Sequence, residues 1–155
     1  MIDSLSLTFV GQILAAFIGT AAFAILFGVP EKQYGVCGIT GAIGWSLYLV
    51  LLRYAGASSV EATFFAALLV SVVSRIAARL SACPSTIFLI CGIFPLVPGG
   101  GIFWTAYYFV ASKPTLALQS GFLAIKLVTA IVLGILIVME IPERFFTLRP
   151  SPGRR

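Results

Sequence analysis

Pro95-Leu96-Val97-Pro98-Gly99-Gly100-Gly101 interrupts a stretch, Pro84 to Ser112, that otherwise has the length and apolarity of one membrane span. Two prolines remove two backbone donors, and three consecutive glycines give up helical stiffness. Two half-helices are expected, about Ser85 to Phe94 and Ile102 to Ala111, joined by irregular backbone. Such backbone is tolerated at membrane depth only where protein buries it or where it lines a wet cavity. In transporters, broken helices aim half-helix N-termini at anions and expose carbonyls to cations. A surface loop between two short interfacial helices is the plainer alternative. Pro95, Pro98, Gly99, Gly100 and Gly101 are the motif positions of the break.

On both sides of this segment the chain reads as uninterrupted spans, each near the roughly 20 apolar residues that a bilayer requires. Upstream lie about Leu5 to Phe27, Tyr34 to Arg53, and a third helix that Ser59 would cap and that ends near Leu80. Gly28-Val29-Pro30-Glu31-Lys32 and Gly56-Ala57-Ser58-Ser59 supply the turns between them. Downstream, Lys113-Pro114 opens a last helix from about Thr115 to Ile141. The expected fold is all-α: a polytopic integral membrane protein of about five transmembrane helices, the fourth broken by the Pro/Gly-rich segment. Residues 1–141 form one transmembrane helical domain, and 142–155 a mobile basic cytoplasmic tail.

Composition supports this reading. Of 155 residues 60% are hydrophobic and only 10% charged, and the mean hydropathy is +1.10. Soluble domains carry about 25% charged residues, and a chain this short cannot bury so much apolar surface in a core of its own. The net charge of +5 is spread over helix ends and the group Arg144, Arg149, Arg154 and Arg155. Basic ends flanking apolar spans fit a membrane face and argue against nucleic acid. With five spans the inside holds Lys32, Arg75, Arg79 and the tail, leaving Arg53 and Lys113 outside, so the N-terminus is outside and the C-terminus cytoplasmic. A re-entrant 84–112 segment would instead move Arg75 and Arg79 outward.

Three cysteines without C-x-x-C spacing and a complete lack of histidine give neither a disulfide framework nor a metal site. No cofactor is expected. An enzyme is not expected either, because neither a nucleophile–base pair nor an acidic cluster can be assembled.

Polar residues inside the spans carry the functional expectations. Lys126 stands near the middle of the last helix, where an ionisable group usually faces a cavity or a partner. Gln119 lies seven residues before it and Glu140 fourteen after it, which helical geometry places on one stripe, with Thr129 one turn on. An interfacial lysine or a packing ion pair is the alternative. Ser71, Arg75 and Arg79 recur every four residues in the third helix, and two arginines on one face could receive a carboxylate. A basic cytoplasmic helix end would carry the same residues. Lys126, Arg75, Gln119 and Thr129 are the candidate substrate-binding residues. Gly35, Gly38, Gly41 and Gly44 form a small-residue stripe suited to close helix packing, or to docking a partner by the same physics. Phe103, Trp104, Tyr107, Tyr108 and Phe109 fit an interfacial aromatic belt.

The order of helices, the opening of the fourth segment at Cys83-Pro84, and Gly92-Ile93-Phe94-Pro95-Leu96-Val97-Pro98-Gly99 resemble the threonine/serine exporter family. The resemblance runs from about Leu7 to Met139, to the small domain that forms the family's C-terminal half or a separate small subunit. It implies export of threonine and serine or, in the split form, succinate from bacterial cells across the inner membrane. It further implies a larger partner subunit carrying the other half. Pro95, Pro98 and Gly99 transfer as motif positions only.

The leading expectation is thus a subunit of a secondary exporter of small carboxylate-bearing metabolites, in contact with the lipid bilayer, its substrate and a larger partner, or as a homo-oligomer. No G-x-x-x-x-G-K-[ST] motif is present, so ATP does not drive it directly through this chain. A pore-forming channel component and a structural membrane subunit without its own substrate site are the alternatives.

Overall fold

The computed structural model describes residues 2–142, with side chains from Thr8 onward. It is helical throughout, with no strand among the described residues. Six helices follow one another: α1 (Ile2–Leu26), α2 (Tyr34–Tyr54), α3 (Ser59–Ser81), α4 (Ser85–Ile93), α5 (Gly99–Val110) and α6 (Pro114–Met139). Four of these are long and apolar enough to cross a membrane alone, and the bent pair Ser85–Leu96 and Gly99–Val110 makes up to five. An all-α polytopic membrane protein follows. From residue 143 on, the expected basic tail lies outside the described residues.

The turns show why the chain reverses where it does. After α1, Gly28 adopts φ 66°, so that its N–H reaches Ile25 O and the N–H of Val29 reaches Ala24 O. That pair of bonds satisfies carbonyls the helix would otherwise leave unpaired, in a conformation that favours glycine. Helix α3 begins with a capping box one residue earlier than the sequence implied. Ser58, not Ser59, is the N-cap, and its backbone N–H and hydroxyl both donate to the Glu61 carboxylate.

The glycine run departs from expectation. Gly99, Gly100 and Gly101 are not irregular backbone but the first turn of α5. The break is confined to a 3-10 turn at Phe94–Leu96, an extended Val97 and Pro98 as N-cap, with 51° between the two halves. A first helical turn needs no internal N–H partner, so Pro98 interrupts no bond there. At Gly101 a side chain would crowd α6, since a Cβ would stand 3.3 Å from that of Ala124.

The bundle packs small residues closely. One cluster joins Ala24, Val29, Cys37, Ala77, Phe88 and Cys91, and another joins Ala66, Ala67, Val70, Leu89, Leu96 and Ile131. Buried hydroxyls of Thr20, Thr40, Thr63, Ser71 and Ser74 each donate to the carbonyl four residues back, at 2.7–2.8 Å. They therefore cost no unpaired polar group in the core. The first cluster places the α1–α2 turn beside the end of α3, and Arg75 ties the end of α6 to α3. One end of the bundle thus gathers Lys32, Arg75 and Arg79.

Candidate functional site

At that end α3 stops where Ala82 takes a left-handed conformation, φ 52°, and the N–H of Cys83 bonds to Ala78 O at 3.1 Å. Pro84 then caps α4 without offering a side-chain hydrogen bond. The turn is tight enough to set the start of α4 against the last two turns of α3. Between them lies a cleft of about 460 Å³, lined by Arg75, Ala78, Arg79, Cys83, Pro84, Ser85 and Thr86. Two guanidinium-bearing residues and the first residues of a helix share this cleft. Helix N-termini attract anions through unpaired N–H groups and the helix dipole, and arginine forks match a carboxylate. The cleft's chemistry is therefore that of an anion receptor of metabolite size.

Arg75 has a second duty. Its guanidinium donates to the carbonyls of Ile141 and, at 3.1 Å, Met139. These are carbonyls that the end of α6 leaves without helical partners. Arg75 thus joins the cleft to the α3–α6 contact.

Lys126, Gln119 and Thr129 lie elsewhere. All three are exposed on α6, whose buried face runs through Ala117, Ala124, Ala130, Ile131, Gly134 and Val138. The ammonium of Lys126 stands 4.7 Å from the centre of the Phe122 ring, and Thr129 donates to Ile125 O. Arg75 meets α6 at Met139 and beyond, roughly 20 Å along the helix from Lys126. The structure does not bring Arg75 and Lys126 together. Glu140, on the same stripe, is the C-cap residue of α6, and the Glu61 carboxylate is held by Ser58 at the start of α3.

Of the break, Leu96 and Pro98 are buried, and Pro95 lines a separate, apolar cleft of about 250 Å³ with Gln12, Ala15, Ala16 and Trp45. The family model described as "Threonine/Serine exporter, ThrE" matches residues 12–141, a range that takes in both clefts and the break. The chain belongs to the threonine/serine exporter family. No solved structure matches it.

In this exporter-family chain the glycine stripe of α2 divides by position. A Cβ at Gly38 or Gly41 would meet Phe17 or Thr20 of α1, and one at Gly44 would meet Val70 of α3. Gly35 faces open space. Three further glycines at close approach carried no packing expectation from the sequence, among them Gly121 against Thr105 of α5. Gly92 lies against Thr40 and Val70, and Gly134 against Phe64, Ala67 and Leu68 of α3. The spacing Ala117, Gly121, Ala124 in α6 was the available signal for a small-residue face there. Cys37 and Cys91, widely separated in sequence, share one buried cluster, whereas Cys83 is half-buried and lines the basic cleft. Along α5, Phe103 stacks on Tyr107 and Trp104 on Tyr108, while Phe103–Trp104 and Tyr107–Tyr108 meet edge to face.

Proposed function

We propose that this exporter-family chain receives the carboxylate of a small metabolite in the cleft formed by Arg75, Arg79 and the start of α4. The observation that carries the reading is the joint presence, in one cleft of about 460 Å³, of two arginines and an uncapped helix N-terminus. An exported metabolite is loaded from the cytoplasm. The gathering of Lys32, Arg75 and Arg79 at one end of the bundle supports a cytoplasmic position for that end, with the N-terminus outside.

The substrate is threonine or serine, with succinate as the alternative that the split form implies. A carboxylate common to all three would meet the arginines, and the hydroxyl or second carboxylate would be read elsewhere. The chain works in a bacterial inner membrane with a larger subunit that carries the other half of the exporter. Lys126, Gln119 and Thr129 face outward from α6 and belong on this reading to the complete exporter rather than to a cavity of this chain. Transport is secondary, driven by a proton or substrate gradient. No catalytic step is assigned to any residue.

A structural-subunit reading has one observation in its favour, the engagement of Arg75 with the end of α6. Export separates the two. A bacterial strain lacking its own system is loaded with threonine, serine or succinate and given this chain, its larger partner, or both. Saturable export with both chains, lowered at least tenfold by Arg79→Gln, is the expected result. Export unaffected by Arg79→Gln would transfer the substrate site to the partner, and export by this chain alone would remove the need for one.

A further inference from the structure

The hairpin made by α5 and the first half of α6 stands away from the rest of the bundle. Helix α5 has no buried residue and packs on α6, with Gly101 at Ala124 and Thr105 at Gly121. The second half of α6 packs on α3, and the two run in the same direction. Gly134 sits at Phe64 to Leu68, while Met139 and Ile141 sit at Arg75. Gly134 lies roughly 30 Å along α6 from its start, but Phe64 lies less than 10 Å along α3 from Ser59. Helix α6 therefore overhangs the start of α3 by on the order of 20 Å, with α5 beside it as the neighbour among the described residues.

The exposed side of this overhang mixes large apolar residues with polar ones. Leu118, Phe122 and Ile125 are 62–73% exposed, and Gln119, Lys126 and Thr129 share the exposed surface. Lys126 is at the midpoint of α6, about 19 Å from either end. An ionisable group so placed in an apolar helix is costly unless it meets a partner or a wet cavity. No Asp or Glu occurs from residue 62 to 139, so a second copy of the hairpin would bring lysine to lysine. The described acidic residues stand at helix ends or in turns: Asp3 in the first turn of α1, Glu31 in the turn before α2, Glu61 already engaged by Ser58, and Glu140 the C-cap residue of α6. The complement of this face is a helix with a carboxylate near its middle, and no described helix of this chain has one there.

We propose that the exposed face of the α5–α6 hairpin, centred on Gln119, Phe122 and Lys126, docks a transmembrane helix of a different chain that presents a carboxylate to Lys126. The inference rests on the two-chain reading above and adds the docking face and its charge logic. Phe122 shields the ammonium on one side, and Gln119 offers a hydrogen bond two turns away on the same stripe. A charge-assisted bond formed out of water is strong and directional, so it also fixes the register of the partner helix.

The test is photocrosslinking in the membranes of cells making this chain together with its larger partner. A benzophenone amino acid replaces Phe122, and as a reference Ile39, which is 53% exposed on α2. The expected result is an adduct with the larger chain from position 122 and not from 39, mapped to a helix that contains Asp or Glu. Lys126→Glu lowers its yield at least tenfold, Lys126→Arg retains it, and Lys126→Glu regains it when the partner's carboxylate is changed to Lys. Unaltered maleimide labelling of Cys83 in each variant shows that the bundle is intact. An adduct with a second copy, an adduct indifferent to Lys126→Glu, or lipid adducts only would each overturn the proposal. Export is measured on the same cells: a missing adduct with export still dependent on Arg79 defeats the docking face and leaves the exporter reading standing.

Discussion

Replacing Arg75 by Gln removes the guanidinium that joins α3 to the last carbonyls of α6, at Met139 and Ile141. A hydrogen bond from a charged donor contributes about 1.5–3 kcal/mol net. Gln keeps one amide donor, and the partly exposed site lets water replace some of what is lost. The net destabilisation is then about 1–3 kcal/mol, less than the sum of two such bonds. At this chain length that corresponds to a fall in Tm of about 3–10 °C. Arg75→Lys keeps the charge but not the fork, so it falls between the two. The assay is thermal unfolding of detergent-solubilised protein followed by size-exclusion chromatography. An unchanged Tm for Arg75→Gln would refute the bridging role. The arginine would then have no structural duty that could explain a loss of export.

Three other substitutions test packing and capping in the same assay. Gly134→Ala pushes a methyl group to about 3 Å from the α3 backbone at Phe64 and Leu68, and overpacking of that kind costs about 1–3 kcal/mol. Gly35→Ala meets nothing within 4 Å, so the helix preference of alanine raises stability by about 0.5–1 kcal/mol. Ser58→Ala removes the capping box of α3 and lowers stability by about 1 kcal/mol.

The helices were legible in the sequence because each apolar run is long enough to span and is bounded by Gly, Pro or charge. Their ends fall within three residues of expectation. The interior of the break was not legible. Composition reads Gly99-Gly100-Gly101 as a loop, but a first helical turn tolerates glycine, and Gly101 lets α5 approach Ala124. Similarly, the choice between Ser58 and Ser59 depends on which hydroxyl meets the Glu61 carboxylate, and spacing alone leaves both open. The helical wheel puts Gln119, Lys126 and Glu140 on one stripe of the last helix. It could not show which way the stripe faces, because that is set by the small buried residues opposite it, Ala117 and Ala124 above all. The basic cleft depends on a contact between the end of α3 and the start of α4. Arg75 and Arg79 were visible as a pair, but the contribution of Ser85 and Thr86 required the chain reversal at Ala82.

Cys83 makes the cleft directly measurable. It lines the cleft with Arg75 and Arg79, while Cys37 and Cys91 are 0% and 1% exposed, so one thiol is available to a maleimide in the folded protein. The rate of its labelling is followed in membranes containing both exporter chains, with and without threonine, serine or succinate. A metabolite seated between the arginines and the start of α4 slows the reaction of Cys83 at least fivefold in the wild type and has no effect in Arg79→Gln. Labelling that is indifferent to every one of these metabolites, in membranes that do export them, would place the substrate outside this cleft.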